Sequence, residues 1–395
     1  MNISQPSPSR RLPSIDALRG AVMILMALDH VRDFFHTGAM SFSPTDLSKT
    51  TPILFFTRWI THFCLPVFIF TSGTGAFLWW RQSNRTIADL SRFLWTRGLW
   101  LIFLELTVMQ FAYNFNISSR YPILLLILWI FGVCMILLAA LVHLPARWLL
   151  VLSMAIIVLH NGLDRIRISG PVAPLWSLLH QPGLLTFSGK TFLVTYTVLP
   201  WIAIMAAGFC FGRVLYYEPD VRRRFLLRIG LISIAAFLIL RAINAYGDPA
   251  PWSSQRFVLS FLNVTKYPAS LDFLLMTLGP ALLVLAWFDL HPPSRQNPLI
   301  IFGRVPLFYF VLHFYLIHAL AVLLAWLRYG NNAFTFMFNP LPSMGGPKQL
   351  FPPNFGYSLW AAYLIWIVVV ALLYPVCRWF AKVKSIRRSW WLSYL

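Results

Sequence analysis

Acidic residues are scarce in this 395-residue chain: 12 aspartates and glutamates stand against 32 lysines and arginines, and charged residues of both signs make up 11% of the total. That excludes a water-soluble domain of ordinary make-up, which is about one-quarter charged. Cysteine is scarcer still. The four, Cys64, Cys134, Cys210 and Cys377, lie in apolar runs without CxxC spacing, which argues against a disulfide framework or a cysteine-rich metal module. The polar, Pro/Ser-rich residues 1–14 lead into the first apolar run with no small-residue cleavage site, so they read as a cytoplasmic tail before an uncleaved signal anchor. What the chain has in abundance is apolar surface, with 58% hydrophobic and 16% aromatic residues. The net charge of +20 would suit nucleic acid, but the basic residues are dispersed into short loops between apolar segments. Membrane insertion sets that pattern, so the expected partner is the lipid bilayer and not nucleic acid.

Windows of about 20 apolar residues fall at 18–35, 53–80, 93–113, 123–142, 149–159, 192–215, 227–243, 271–288, 299–326 and 359–380. They predict an all-α polytopic bundle of about ten transmembrane helices, one domain over 15–380, followed by a basic tail over 381–395. With the N-terminus inside, the inner loops and tail receive most of the basic residues, among them Arg10, Arg11, Arg85, Arg92, Arg97, Arg222 to Arg224, Lys382 and Arg388, and the outer loops fewer, Arg120 among them. An even number of spans with both termini cytoplasmic satisfies the positive-inside rule. Several outer loops are long and rich in Pro, Gly and Asn, most clearly 339–354, NPLPSMGGPKQLFPPN. Specificity usually sits on such loops, which places the acceptor side outside.

The first window is apolar and membrane-length, yet it carries Asp29, His30, Arg32 and Asp33, with His36 just beyond. A charge in hydrocarbon costs about 2.5 kcal/mol or more, so several in one span call for a functional explanation. At about 100° per residue, Asp29, Arg32, Asp33 and His36 share one face and His30 lies at its margin. Arg58 and His62, spaced i, i+4, share a face at the outer end of the second window. Together these residues predict an outward-opening polar pocket. Two readings follow. The charges form an ion-pair network that holds helices together, or a histidine serves as a general base, with Asp33, three residues from both His30 and His36, orienting it. A metal held by His30, Asp33 and His36 lacks the further ligands zinc needs, so none is expected.

Other candidates are His313 and His318 on the ninth window, which could reach the same pocket, and Glu105, a lone carboxylate in the third. Arg241 and Asp272 read as interfacial. Gly208 and Gly212 form a GxxxG suited to close helix approach. Ser188-Gly189-Lys190-Thr191 fails as a phosphate loop, since Gly183 is one residue out of register and no strand precedes it.

The stretch SIDALRGAVMILMALDHVRDFF from Ser14, with Asp16, Leu18, Arg19 and Gly20 and then an apolar run to His30, resembles the opening helix of the transmembrane acyltransferase superfamily. That grouping includes the acyltransferase-3 proteins and the family related to the catalytic domain of heparan-α-glucosaminide N-acetyltransferase. HFCLPVFIFTSGTGAFLWW from His62 is similar to its Pro-Val-Phe, Ser-Gly segment, and IIFGRVPLFYFVLHFYLIHAL from Ile300 to its late helix. The resemblance implies a multi-pass protein of the bacterial inner membrane. It also implies transfer of an acyl group, acetyl by the second branch, from acyl-CoA to a glycan or similar acceptor outside, with no permanently bound cofactor. In the acyltransferase-3 pattern His30 is the base, whereas the N-acetyltransferase branch points to a histidine after the first helix, here His36. Acyl-CoA phosphates would meet basic residues such as Arg19, Arg92 and Arg97, although the family's arginine pair is four residues apart and Arg92 and Arg97 are five apart. Acyl transfer needs a base and donors for the developing oxyanion, which Asp29, His30, Arg32 and Asp33 supply. The rival reading is a proton-coupled transporter or flippase, for which buried Asp and His would form the relay. Against it stand the absence of a repeat between the halves and of a matched pair of broken helices in the sequence.

Overall fold

The computed structural model of the chain describes residues 12–39, 41–82, 85–116, 122–338, 348–387 and 392. Arg10, Arg11, Arg120, Arg388 and most of the 339–354 loop lie outside the described residues. The first long helix, α1 (Pro13–Phe35), starts on a proline, whose missing N–H costs nothing in a first turn. It is followed by α2 (Pro52–Thr61) and α3 (Cys64–Arg81). A reciprocal capping box between Thr86 and Asp89 opens α4 (Ile87–Leu104), which runs through a π-helical turn, Glu105–Met109, into α5 (Gln110–Asn114). Next come β1 (Ile123–Leu125), α6 (Ile127–Leu141), α7 (Ala146–Leu159), α8 (Ala173–Leu179), β2 (Gly183–Phe187) and β3 (Lys190–Val194). The remainder is helical: α9 (Val198–Phe211), α10 (Pro219–Ile243), α11 (Phe257–Leu262), α12 (Leu271–Leu290), α13 (Pro298–Arg304), α14 (Pro306–Tyr329), α15 (Ala333–Met337) and α16 (Leu359–Ile386). The last continues well into the residues expected as a tail.

Among the described residues, seven helical segments are long and apolar enough to cross a membrane: Pro52–Arg81, Ala146–Leu163, Val198–Tyr216, Pro219–Ile243, Leu271–Leu290, Pro306–Met337 and Leu359–Ile386. The chain is therefore a mostly helical, multi-pass membrane protein. Three of the ten predicted windows fall outside that set although they contain helix. In α1 the charges of Asp16, Arg19, Asp29, Arg32 and Asp33 lower the hydropathy, in α4 those of Asp89, Arg92 and Arg97 do so, and α6 has only 15 residues. Four windows are also not uniform helices. The second breaks at His62 and Phe63 and restarts so that Pro66 falls in a first turn, and the ninth breaks at Val305 ahead of Pro306. Two interrupted helices are thus present at windows where continuous spans are expected.

The windows at 123–142 and 192–215 open as strands. β3 is central in a small sheet, parallel to β1 with Ile123 opposite Phe192, and antiparallel to β2. Ser188 and Gly189, at φ 49° and 72°, turn the β2–β3 hairpin, so the Ser-Gly-Lys-Thr run forms a hairpin and not a phosphate loop.

Helix packing depends on glycines that meet in reciprocal pairs. A Cβ on Gly20 would lie 1.8 Å from the carbonyl oxygen of Leu299, and one on Gly303 1.8 Å from that of Asp16, so α1 and α13 touch backbone to backbone. Gly73 and Gly208 do the same for α3 and α9, at 1.9 Å from Met205 O and 2.0 Å from Phe70 O, and Gly98 faces Gly132 between α4 and α6. Without a hydrophobic force between helices in lipid, close backbone approach of this kind supplies the association. α1 sits centrally, packed by α13, α16, α14, α12 and α3. α10 and α16 are peripheral and turn Leu231, Ile232, Ile239, Leu364, Ile367 and Trp379 outward, as a lipid-facing surface requires.

Glu105 explains how α6 can begin deep in the fold. Its fully buried carboxylate accepts N–H bonds from Leu128 at 2.8 Å and Trp129 at 3.3 Å, and a hydroxyl bond from Tyr113 at 3.2 Å. A side chain from α4's extension therefore caps the free amides of α6's first turn.

Substituting Gly73→Ala is expected to cost about 1–3 kcal/mol through overpacking, seen as a lower melting temperature of the detergent-solubilised protein. Gly162→Ala, whose added methyl meets nothing within 4 Å, should leave it unchanged.

Candidate active site

Asp29 stands at the centre of the buried charges. Its carboxylate pairs with Arg58 of α2 and, at 3.0 Å, with Arg32 one turn along α1, while Arg32 also bonds Asp33. Arg32 is buried and Asp33 is the most open of the four, at 26% side-chain exposure. Arg58 reaches on to the hydroxyl of Tyr267, at 3.4 Å. Each buried guanidinium thus has a carboxylate, which satisfies the ion-pair reading. Both aspartates are consequently committed to arginines, and neither His30 nor His36 is hydrogen-bonded to Asp33 among the described residues. The expected Asp–His pair is not formed.

Instead His30 stands apart from the ion pairs. Neither ring nitrogen has a hydrogen-bond partner, and the ring rests on Phe314 at 4.1 Å and beside His313 at 5.2 Å between centroids. It lines two adjoining cavities, and the one that is larger when its open mouth is included, at about 1010 Å³, has Asp29, Asp33, Arg58, Lys266 and Tyr267 at its polar end. Met23, Met26, Leu65, Phe68, Phe131 and Phe310 form the apolar wall, and Ser72 and Arg97 lie further along it. The other cavity, of about 670 Å³, is bounded by Tyr113, Leu124, Leu126, Leu193, Thr195 and Phe314. Ile127, Tyr196 and Tyr267 share with His30 the border between the two.

The remaining predicted residues separate into those near this junction and those away from it. His36 follows the end of α1, accepts a bond from Gly38 N at 3.2 Å and pairs in a short bridge with Tyr357. It lines neither cavity, and partial burial together with the Arg32 charge holds its imidazole below the usual value. His62 terminates α2 and packs edge-on against Phe273 at 5.4 Å. His313 is fully buried behind His30, and its Nδ1 faces the Tyr309 carbonyl at 3.1 Å. His318 bonds the Ala112 carbonyl at 2.8 Å and stacks on Phe115, away from both cavities.

The basic residues expected to meet acyl-CoA also diverge. Five residues along a helix turn about 140° beyond a full circle, so Arg97 faces the larger cavity while Arg92 is exposed on another side. Arg19 bonds the backbone carbonyl of Thr71 and ties α1 to α3. Arg222 is held in a two-pronged pair with Asp289, at 2.8 and 2.9 Å, and Arg85 stacks on Trp79. Arg241 and Asp272 are buried within the protein, where the Arg241 guanidinium donates to four carbonyls of the 250–263 segment and approaches Asp248 and Asp272.

Sequence reasoning missed Tyr196, Lys266 and Tyr267. Lys266 Nζ lies 5.2 Å from the Tyr267 ring and 6.0 Å from the Tyr196 ring. Burial alone would push the Tyr267 phenol up, but the charges of Lys266 and Arg58 outweigh it and hold the phenol below its ordinary value. The only signal was a Lys-Tyr-Pro run ahead of a helix, which is too common to single out.

The arrangement offers a buried imidazole with unpartnered nitrogens, flanked by fixed cations and phenols, at the junction of two spaces. That suits proton exchange with one bound molecule while a second is held close by. A family model described as "Heparan-alpha-glucosaminide N-acetyltransferase, catalytic" matches residues 11–244, more than half of the chain. The match spans the charge cluster of α1 and α2, His30 and Arg97, and stops short of Lys266, Tyr267 and His313. No curated protein matches the chain.

Removing the Asp29 charge with Asp29→Asn leaves Arg58 without its carboxylate, and about 3–5 kcal/mol of stability should be lost. Asp33→Asn should cost distinctly less, because Arg32 keeps Asp29. Thermal unfolding of the two variants in one detergent compares them, and equal losses would contradict the shared-carboxylate account.

Proposed function

The chain belongs to the heparan-alpha-glucosaminide N-acetyltransferase catalytic family, and from that membership and the form of the cavity we propose that it transfers an acyl group, acetyl in the simplest case, from acyl-CoA to an acceptor outside the cytoplasm. The observation that carries the reading is His30 lining both cavities with neither nitrogen bonded inside the protein.

The thioester end of acyl-CoA enters the larger cavity from its Arg97 and Ser72 end, which we put in the cytoplasmic half because the basic loops are densest on that side. The acceptor, a glycan hydroxyl or amine, approaches past Arg58, Lys266 and Tyr267 at the other end. His30 takes the acceptor's proton as its oxygen or nitrogen attacks the thioester carbonyl. The carbon–sulfur bond then breaks, the acyl bond to the acceptor remains, and the proton passes to the departing thiolate. Arg58, fixed by Asp29, supplies N–H donors near the developing oxyanion. His36 has no part in this scheme, and Asp33 acts only by helping to fix Arg32. A bacterial inner-membrane location fits the strongly basic inner loops.

The interrupted helices beside the cavity favour a second reading, a proton-coupled transporter, since broken helices often bind substrates at mid-membrane. One experiment separates the two. Full-length protein in proteoliposomes is given acetyl-CoA on one side and an amino-sugar glycan on the other. His30→Ala should lower acetyl transfer about 100-fold or more with the melting temperature unchanged. Undiminished transfer in that variant would overturn the role of His30. Proton-coupled uptake that disappears in the variant, with no transfer by either protein, would favour the transporter.

A further inference from the structure

His30 needs an orienting group, because a neutral imidazole can serve as base only through the nitrogen that carries no proton. The carboxylates that usually fill this role are occupied: Asp29 holds Arg58 and Arg32, and Asp33 holds Arg32. Behind His30, on the side away from the cavities, lies His313. It is fully buried and lines neither space. Its Nδ1 is 3.1 Å from the carbonyl oxygen of Tyr309, one turn earlier on α14. A carbonyl only accepts, so that Nδ1 carries the proton, and the neutral ring is left with a bare Nε2. This Nε2 has no hydrogen-bond partner, and the two ring centroids are 5.2 Å apart. Stacking on Tyr309, 19° from parallel, holds the His313 ring in place.

We propose that His313 is the positioning residue of the site, accepting an N–H from His30 so that the opposite nitrogen of His30 faces the cavity unprotonated. The proposal rests on the reading of His30 as the base. The relay runs from the cavity through His30 and His313 to a main-chain carbonyl, with an imidazole where a carboxylate commonly stands. With the ring centroids 5.2 Å apart, the bond forms on rotation of the rings toward one another, as catalytic hydrogen bonds often tighten only once substrate is bound. The groups facing the pair are Asp29 and, beyond it, Arg32 and Arg58, together with the uncharged rings of Tyr309, Phe310 and Phe314. An uncharged orienter adds no further anion to a cluster whose two aspartates already serve two arginines.

The test uses full-length protein in lipid nanodiscs, with His313→Phe, which keeps a flat apolar ring but no acceptor, and His313→Gln, whose side-chain carbonyl can accept in place of Nε2. Acetyl transfer from acetyl-CoA to an amino-sugar glycan should fall at least tenfold in kcat for His313→Phe, with KM for both substrates within twofold, and His313→Gln should recover most of the loss. In parallel, ¹⁵N resonances of the His30 ring should report a single tautomer in the unsubstituted protein and a mixture in His313→Phe. An unchanged kcat in His313→Phe, or a tautomer mixture already present in the unsubstituted protein, overturns the proposal. So does a loss that His313→Gln fails to relieve. If no transfer is detected with any variant, the acyltransfer reading fails, and the resonance experiment still decides whether His313 orients His30.

Discussion

The buried carboxylate of Asp29 is the contact that the rest of the site depends on. It is asked to answer two guanidiniums, Arg58 from a neighbouring helix and Arg32 from its own, in surroundings where an unanswered charge is several times more costly than at a protein surface. Because α2 ends at Thr61 and α3 begins at Cys64, the short outer helix that carries Arg58 is not held by a continuous rod. The pair with Asp29 helps to fix its position against α1. The polar end of the larger cavity takes its shape from that attachment, since Arg58 in turn reaches Tyr267 from the loop before α12.

Around this fixed polar cluster, the histidines divide the labour by depth. His30 is at the boundary of two spaces, His313 is one layer further in, and His318 is bonded to α5's backbone beyond both. The three sit on only two helices, α1 and α14, which pack directly against each other. The glycine crossing of Gly20 with Gly303 brings α13, and α14 after it, close enough for their rings to meet.

Much of this was legible in the sequence. The membrane class, the mostly helical fold and the family follow from apolar windows and from the opening motif around Asp16, Arg19 and His30. The expectation that Asp29, Arg32, Asp33 and Arg58 come together needed only helical spacing and the cost of charge in hydrocarbon, although Arg32 lines neither cavity. What periodicity does not encode is which partner a charge selects. Asp33 is three residues from two histidines, yet it pairs with the adjacent Arg32, because a permanently charged guanidinium gains more from a buried carboxylate than an imidazole does. The strands β1 and β3 were hidden for a different reason. Runs such as Ile123 to Leu125 are short and wholly apolar, and hydropathy alone does not distinguish them from a helix end. Lys266 and Tyr267 arrive from a loop, where no repeat predicts direction.

α6 is shorter than a full membrane span. At 1.5 Å per residue its 15 residues rise about 22 Å, against the roughly 30 Å of a typical hydrocarbon core. Ahead of its first turn, β1, whose amides and carbonyls pair with β3, and the Glu105 carboxylate satisfy the backbone where the helix ends. The stretch of cavity wall that Ile127, Leu128, Phe131 and Met135 form therefore starts from a fixed point, and loosening the Glu105 cap would shift all four together.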